Sequence, residues 1–150
     1  MPEGRDIAIT LCRGVMRALA QRGFTTLSEV PLADGRRADI MALGRDGTLL
    51  IVEIKSSVAD FRSDRKWPEY RQWCDQLYFA VGEGFPMELI PHECGLMLAD
   101  GFEAAVLREA PTHKVETVRR KAMHLRFARL AGARLPRLID PGAADPESVS

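Results

Sequence analysis

Cysteine is scarce in this chain, and the little there is forms no pattern. Cys12, Cys74 and Cys94 are odd in number and far apart, which argues against a disulfide framework and fits a reducing cytoplasm. No Cys-x-x-Cys pair occurs, and His92, His113 and His124 have no zinc-like spacing, so a zinc module is not expected. Long apolar runs are missing too: none approaches the ~18 residues of a membrane helix, and no secretory leader precedes the first predicted helix. A membrane partner and export are therefore not expected. There is no net charge either, since 21 Lys and Arg balance 21 Asp and Glu. That removes any global pull toward nucleic acid.

The balance conceals an asymmetry. Residues 112–139 carry eight Lys or Arg against one acid, Glu116, so the rest of the chain is acidic to the same extent. This basic block is the part suited to meet phosphate. Hydrophobic residues make up 46% of the 150 and charged residues 28%, the composition of a globular protein with one domain's worth of core.

Ile7, Leu11, Val15 and Ala18 recur at helical spacing within 3–22, and Gly23 is a natural stop. TTLSEVPL (25–32), ADIMAL (38–43) and TLLIVEIK (48–55) read as strands, the last two joined by the hairpin turn GRDG. Residues 56–67 read as a loop or short helix, and 68–76 as a helix opening on Pro68. LYFAVG (77–82) reads as a further strand, and CGLMLAD (94–100) with GFEAAVLREAP (101–111) as two more around a turn at Asp100-Gly101. A second long helix is predicted over 114–132, with Val115, Val118, Ala122 and Leu125 as its apolar stripe. From Pro136 the composition predicts a frayed, disordered tail over 136–150 behind a single domain, 1–135. The element order predicts an α/β fold: a mixed sheet flanked by helices.

The unusual stretch is LLIVEIKSS (49–57), a strand-like apolar run that carries Glu53 and Lys55. Side chains alternate along a strand, so both charges share a face with Ile51, while Val52 and Ile54 take the other. A turn centred near Asp46 makes paired residue numbers sum to about 92, which sets Asp39 opposite Glu53. Two carboxylates would then lie within roughly 5 Å of each other, with Lys55 one step along. Such carboxylates repel unless a cation intervenes. Together with the Ile54 main-chain carbonyl they make the hard-oxygen shell that Mg²⁺ or Mn²⁺ takes. A metal there can hold a phosphodiester oxygen and acidify a water, with Lys55 orienting that water or neutralising charge on phosphorus. The alternative is plain: Glu-x-Lys is also a common surface ion pair with no chemistry.

These residues carry a resemblance. ADI (38–40) with IVEIK (51–55) resembles the core motif of the PD-(D/E)XK nuclease superfamily, with Ala38 where the motif has proline. The longer strings GRRADIMAL, VEIKSSVADFRSDRKWPEYRQWCDQLYFAV, FPMELIP, GLMLAD, AVLREAP and RRKAMHLRFARLA are similar to the MmcB family of bacterial DNA repair proteins, over roughly residues 5–135. The resemblance implies a restriction-endonuclease-like core, Asp39 and Glu53 as metal ligands, and Lys55 as catalytic lysine. It also implies DNA as partner, with other repair proteins, and a role in repair or damage tolerance. One departure stands out. Many superfamily nucleases set a further acid on the first helix, where this chain has Leu11, Cys12 and Arg13. Glu3, Asp6 and Glu29 are the candidates for it, and a binding-only or adaptor protein on the same fold stays open.

Elsewhere, Arg37, Lys66, Trp67 and Arg71 suit a nucleic-acid groove, with arginines on phosphate and an aromatic on a base. Packing of the local aromatics against the sheet is the alternative. Arg119, Arg120 and Arg126 could form a phosphate-binding stripe or simply a solvated helix face. Asp60 and Asp64, close behind Lys55, could orient it or cap a turn, and capping is the expectation.

Overall fold

The structure is a computed structural model and describes residues 4–148. Helix α1 (Gly4–Gln21) buries Leu11, Gly14, Val15, Ala18 and Leu19, one stripe at 3–4 residue spacing. It ends where Gly23 takes a φ of 87° and the Phe24 N–H returns to the Leu19 carbonyl at 3.0 Å. Strands β1 (Thr25–Pro31), β2 (Arg37–Leu43) and β3 (Leu49–Lys55) follow as an antiparallel meander. Gly47, with a φ of 88°, makes the β2–β3 turn possible.

Beyond β3 come the short helix α2 (Val58–Ser63), a 3₁₀ helix (Trp67–Trp73) and strand β4 (Gln76–Val81). β4 lies parallel to β3, β5 (Gly95–Ala99) parallel to β4, and β6 (Ala104–Arg108) antiparallel to β5. The result is one six-stranded mixed sheet in sequential order, β1 to β6. The α/β class and the mixed sheet between helices are those the sequence implied.

One face of the sheet packs under α1. Ile40, Ala42, Leu50, Val52, Ile54, Ala80 and Met97 meet Leu11, Val15 and Leu19 there. Each fully buried aliphatic side chain contributes about 1.5–3 kcal/mol relative to exposure. The approach is close: a Cβ on Gly14 would lie 1.9 Å from the Asp100 carbonyl oxygen in the β5–β6 turn. On the opposite face Phe61 and Trp67 set their ring edges on Phe79 at 5.6 and 5.7 Å. All seven residues of β3 are buried, Glu53 and Lys55 included.

Three predicted boundaries shift. Residues 58–63 form a helix because Ser57 caps it, its hydroxyl accepting the Asp60 N–H at 3.0 Å. The helix predicted over 68–76 is a 3₁₀ helix over Trp67–Trp73, which then hands over to β4. Helix α3 (Thr117–Ile139) runs through Pro136 instead of stopping before it. The turn after that proline is closed by the Asp140 N–H on the Pro136 carbonyl. Ion pairs Arg137–Asp145 (3.2 Å) and Arg129–Glu147 (2.8 Å) hold the following residues to α3. The apolar stripe of α3 also differs: Met123, Phe127 and Ala133 are buried, and Val118 and Leu125 are exposed. Periodicity shows that a helix has an apolar face, but two offset stripes share this one.

The chain falls into two compact units that divide between Val115 and Glu116. The first holds the sheet with α1 and α2, and the second holds α3 and the residues after it. No helix among the described residues is long and apolar enough to cross a membrane.

Candidate functional site

The hairpin register is the one that sums to 92. Leu43 pairs with Leu49, and the ladder continues to Ile40 opposite Val52. The next rung would set Asp39 opposite Glu53, and there the ladder stops. Glu53 Oε2 accepts the Asp39 backbone N–H at 2.8 Å, and Asp39 Oδ2 accepts the Ile54 N–H at 2.8 Å. Two carboxylates thus take the place of two ladder carbonyls. β3 meanwhile stays paired with β4 as far as Lys55 opposite Val81. The two strands fork, and the acids sit in the fork.

Asp39 has an unusual neighbour on its other side as well. Ser28 pairs with Ile40 and Val30 with Ala38, while Glu29 between them drops out of the ladder with a φ of 49°. A non-glycine residue in that region carries backbone strain. Across the sheet the row therefore reads Glu29, Asp39, Glu53.

The fork opens into a cleft of about 700 Å³. Its floor holds Asp39, Glu53, Ile54 and Lys55, with Tyr70, Asp60 and Asp64 beside them. The N-terminal half of α1 supplies one wall through Ala8, Ile9 and Cys12. Exposed cationic side chains, Arg5, Arg37 and Lys66, also line it. Arg36 lines it too, paired with Asp34 and Glu69. The arrangement is an acidic floor beneath a basic rim.

Burial first, and then the charge of Asp39, push the Glu53 carboxyl up to about 8. Asp39 is also raised, chiefly by burial. The Lys55 ammonium opposes both shifts without cancelling them. Two carboxylates in one fork with one lysine are short of positive charge, so the pair titrates jointly and retains a proton well above the carboxylate range. A cation between them would displace that proton.

The donors suit a hard divalent ion. The N–H and C=O of one strand residue point the same way, so the Ile54 carbonyl shares the fork with its N–H. Two carboxylates and a carbonyl are all oxygen ligands, as Mg²⁺ and Mn²⁺ take them, with water and substrate filling the remaining positions. The set is thin, however. No group of three or more His, Cys, Asp or Glu among the described residues is arranged to hold a metal.

Lys55 is not free in the cleft. Its Nζ lies 2.7 Å from Asp64 Oδ2, with only 8% of its side chain exposed. Tyr70 donates its hydroxyl to the Arg37 carbonyl at 3.1 Å and borders Glu53. Asp60, by contrast, binds locally and accepts the Ser56 N–H at 3.1 Å. Capping thus describes Asp60, and Asp64 does both: it caps the end of α2, accepting the Lys66 N–H at 3.0 Å, and bonds to Lys55.

Of the candidate further acids, Glu29 lines the cleft and Asp6 does not, while Glu3 lies outside the described residues. Arg37 and Lys66 are at the cleft. Trp67 and Arg71 are not among its lining residues: Trp67 is half-buried on Phe79, and the Arg71 guanidinium lies 5.6 Å over the indole. Arg71 also donates to the Glu93 carbonyl at 2.9 Å. Arg119, Arg120 and Arg126 lie on α3, in the second unit. Tyr70, one of the aromatics interleaved with arginines in 60–76, lines the cleft, and so does Arg5, which carried no signal in sequence because only the fold sets the start of α1 beside the fork.

The family description "DNA repair protein MmcB-like" matches residues 3–142. A solved protein of unknown function from Silicibacter pomeroyi shares 45% identity and superposes with a TM-score of 0.85, over 89% of this chain and 92% of that one. No curated protein matches. With the family match running along almost the whole chain, this protein belongs to the MmcB-like family of DNA repair proteins.

Proposed function

We propose that this protein is a deoxyribonuclease of the PD-(D/E)XK type, hydrolysing phosphodiester bonds in DNA during repair with Mg²⁺ or Mn²⁺. The observation that carries the reading is the fork, where Asp39 and Glu53 replace ladder carbonyls at the floor of a cleft. A structural ion pair on a sheet needs neither a broken ladder nor a second buried acid.

Asp39, Glu53 and the Ile54 carbonyl would hold the cation. When bound, it would act as a Lewis acid on the scissile phosphate and lower the pKa of a water. Each side chain has its own task. The two carboxylates already accept backbone hydrogen bonds, which fixes their orientation before any ligand arrives. Lys55 brings a positive charge to the cleft floor, where it can stabilise charge developing on the phosphate oxygens. Arg5, Arg37 and Lys66, exposed at the rim, suit the flanking phosphates. Tyr70 hydrogen-bonds Glu53 at the cleft.

The test is cleavage of single-stranded, nicked and branched DNA by purified protein with Mn²⁺. Wild type should cut, and Asp39→Ala and Lys55→Ala should each cut at least ~100-fold more slowly, the scale on which loss of a transition-state contact acts. Equal rates for wild type and variants would reject the reading.

A second reading, a DNA-binding or adaptor protein without catalysis, is favoured by one observation: the fork offers two carboxylates, with no third His, Cys, Asp or Glu to complete a metal group among the described residues. That reading predicts DNA binding that ignores metal, weakens steeply with salt, and falls in Arg119→Ala/Arg126→Ala.

A further inference from the structure

The fork accounts for Asp39 and Glu53, but it leaves the third member of the site to be placed by something else. Lys55 ends β3, and its side chain has four rotatable bonds with many ways to point. Buried as it is, its ammonium needs a partner. Asp39 and Glu53 both feel the ammonium's charge, but the carboxylate that it bonds to is a third one.

Asp64 is built for it. The carboxylate arrives from nine residues further along the chain, at the C-terminal cap of α2, where its own N–H bonds to the Phe61 carbonyl at 3.2 Å. Oδ2 takes the Lys55 ammonium at 2.7 Å, and Oδ1 accepts the Lys66 N–H at 3.0 Å. With one oxygen committed to the backbone, the carboxylate cannot swing away from the lysine. The segment around it is anchored as well. Phe61, three residues before, and Trp67, three after, both set their edges on Phe79. Phe79 is the row partner of Glu53 in the sheet. The position of Asp64 is thus referenced to the same rung that carries the acidic floor, and Asp39, Glu53, Lys55 and Asp64 line one cleft.

We propose that Asp64 is a positioning residue that holds the Lys55 ammonium in one orientation at the cleft floor, so that an incoming phosphodiester meets a fixed cation. Its catalytic consequence rests on the nuclease reading above; the placement of the lysine does not. The pair is local and directional, and Asp64 itself touches neither DNA nor metal in this scheme.

Two measurements test it. The first is steady-state DNA cleavage by Asp64→Asn, which keeps an acceptor for the Lys66 N–H but loses the charge. Its kcat should fall about 10–100-fold, the usual effect of removing a group that orients a reacting residue, while KM for DNA stays within about threefold. Asp64→Glu should recover part of kcat. Asp64→Asn/Lys55→Ala should cut no more slowly than Lys55→Ala, because the acid acts only through the lysine. A purely structural carboxylate would instead lower thermal stability and leave kcat intact, and that result would overturn the proposal.

The second measurement does not need activity. In ¹⁵N-lysine-labelled full-length protein, the Lys55 ammonium should give a distinct, slowly exchanging resonance, lost in Asp64→Asn. A resonance unchanged in that variant overturns the proposal even if the enzyme cuts DNA. If wild type fails to cut and the resonance is still lost, the nuclease reading falls and the placement of Lys55 by Asp64 stands.

Discussion

Strand β3 has a buried carboxylate site at each end, and the two are opposites. At its start, Asp75 accepts the Leu49 N–H at 2.8 Å and the Val115 N–H at 2.9 Å. Its own backbone bonds to the Leu49 carbonyl and the His113 N–H. Each carboxyl oxygen accepts a main-chain N–H, and Asp75 does not line the cleft at the fork. It is a staple that ties β3, β4 and the segment before α3 together. At the far end, Asp39 and Glu53 also accept main-chain hydrogen bonds, but they face each other, repel, and open on a cleft. Burial of a carboxylate is therefore no sign of function by itself. What separates the two ends is the cleft, and the like charge of two carboxylates that one lysine does not offset.

That contrast can be broken by experiment, and the largest effect should come from the staple. Asp75→Ala strands two buried N–H groups and should cost about 2–5 kcal/mol of stability, measured by urea unfolding. Asp39→Ala should cost far less stability, since it relieves repulsion as it removes a hydrogen bond. Equal losses at the two ends would erase the distinction.

A smaller effect should appear with pH. The folded-state pKa of Glu53 is raised, from 4.5 to about 8. The folded protein therefore binds a proton that the unfolded chain releases. That contribution is fully present below pH 4.5 and is lost as pH rises through about 8. Metal-free protein should melt at a lower temperature at pH 8 than at pH 6, and Glu53→Gln should flatten the difference. Mn²⁺ should restore the melting temperature of wild type at pH 8 and leave Glu53→Gln unchanged. A flat pH profile in wild type would mean that the fork carries no excess charge.

Much of the core of this site was legible in the sequence because local rules reach it. A four-residue turn with glycine at its positive-φ position fixes which residues face each other, and alternation then fixes which share a side. Asp39 opposite Glu53 follows from those two rules and the hairpin's short length. The same rules do not reach Trp67. Its setting between DFRSDR and arginine suggested a base-stacking ring; its contact with Phe79, twelve residues away on β4, is one that those rules do not give. Nor do they reach α3, where two offset apolar stripes satisfy the same helical period.

What the sequence by itself determined is the set of elements, the hairpin register and the two acids with their lysine, because each depends on residues within about fifteen positions of one another. Only the tertiary structure decided that β2 and β3 part at Asp39. Parallel pairing with β4 holds β3 straight at this point, and no local pattern encodes that competition. It likewise decided that Arg5 and Tyr70 border the cleft, that Asp64 rather than solvent faces Lys55, and that Glu53 meets a second acid in a cleft while Asp75 ties main chain. Those outcomes depend on groups brought together across the sheet, where burial sets the strength of every charge.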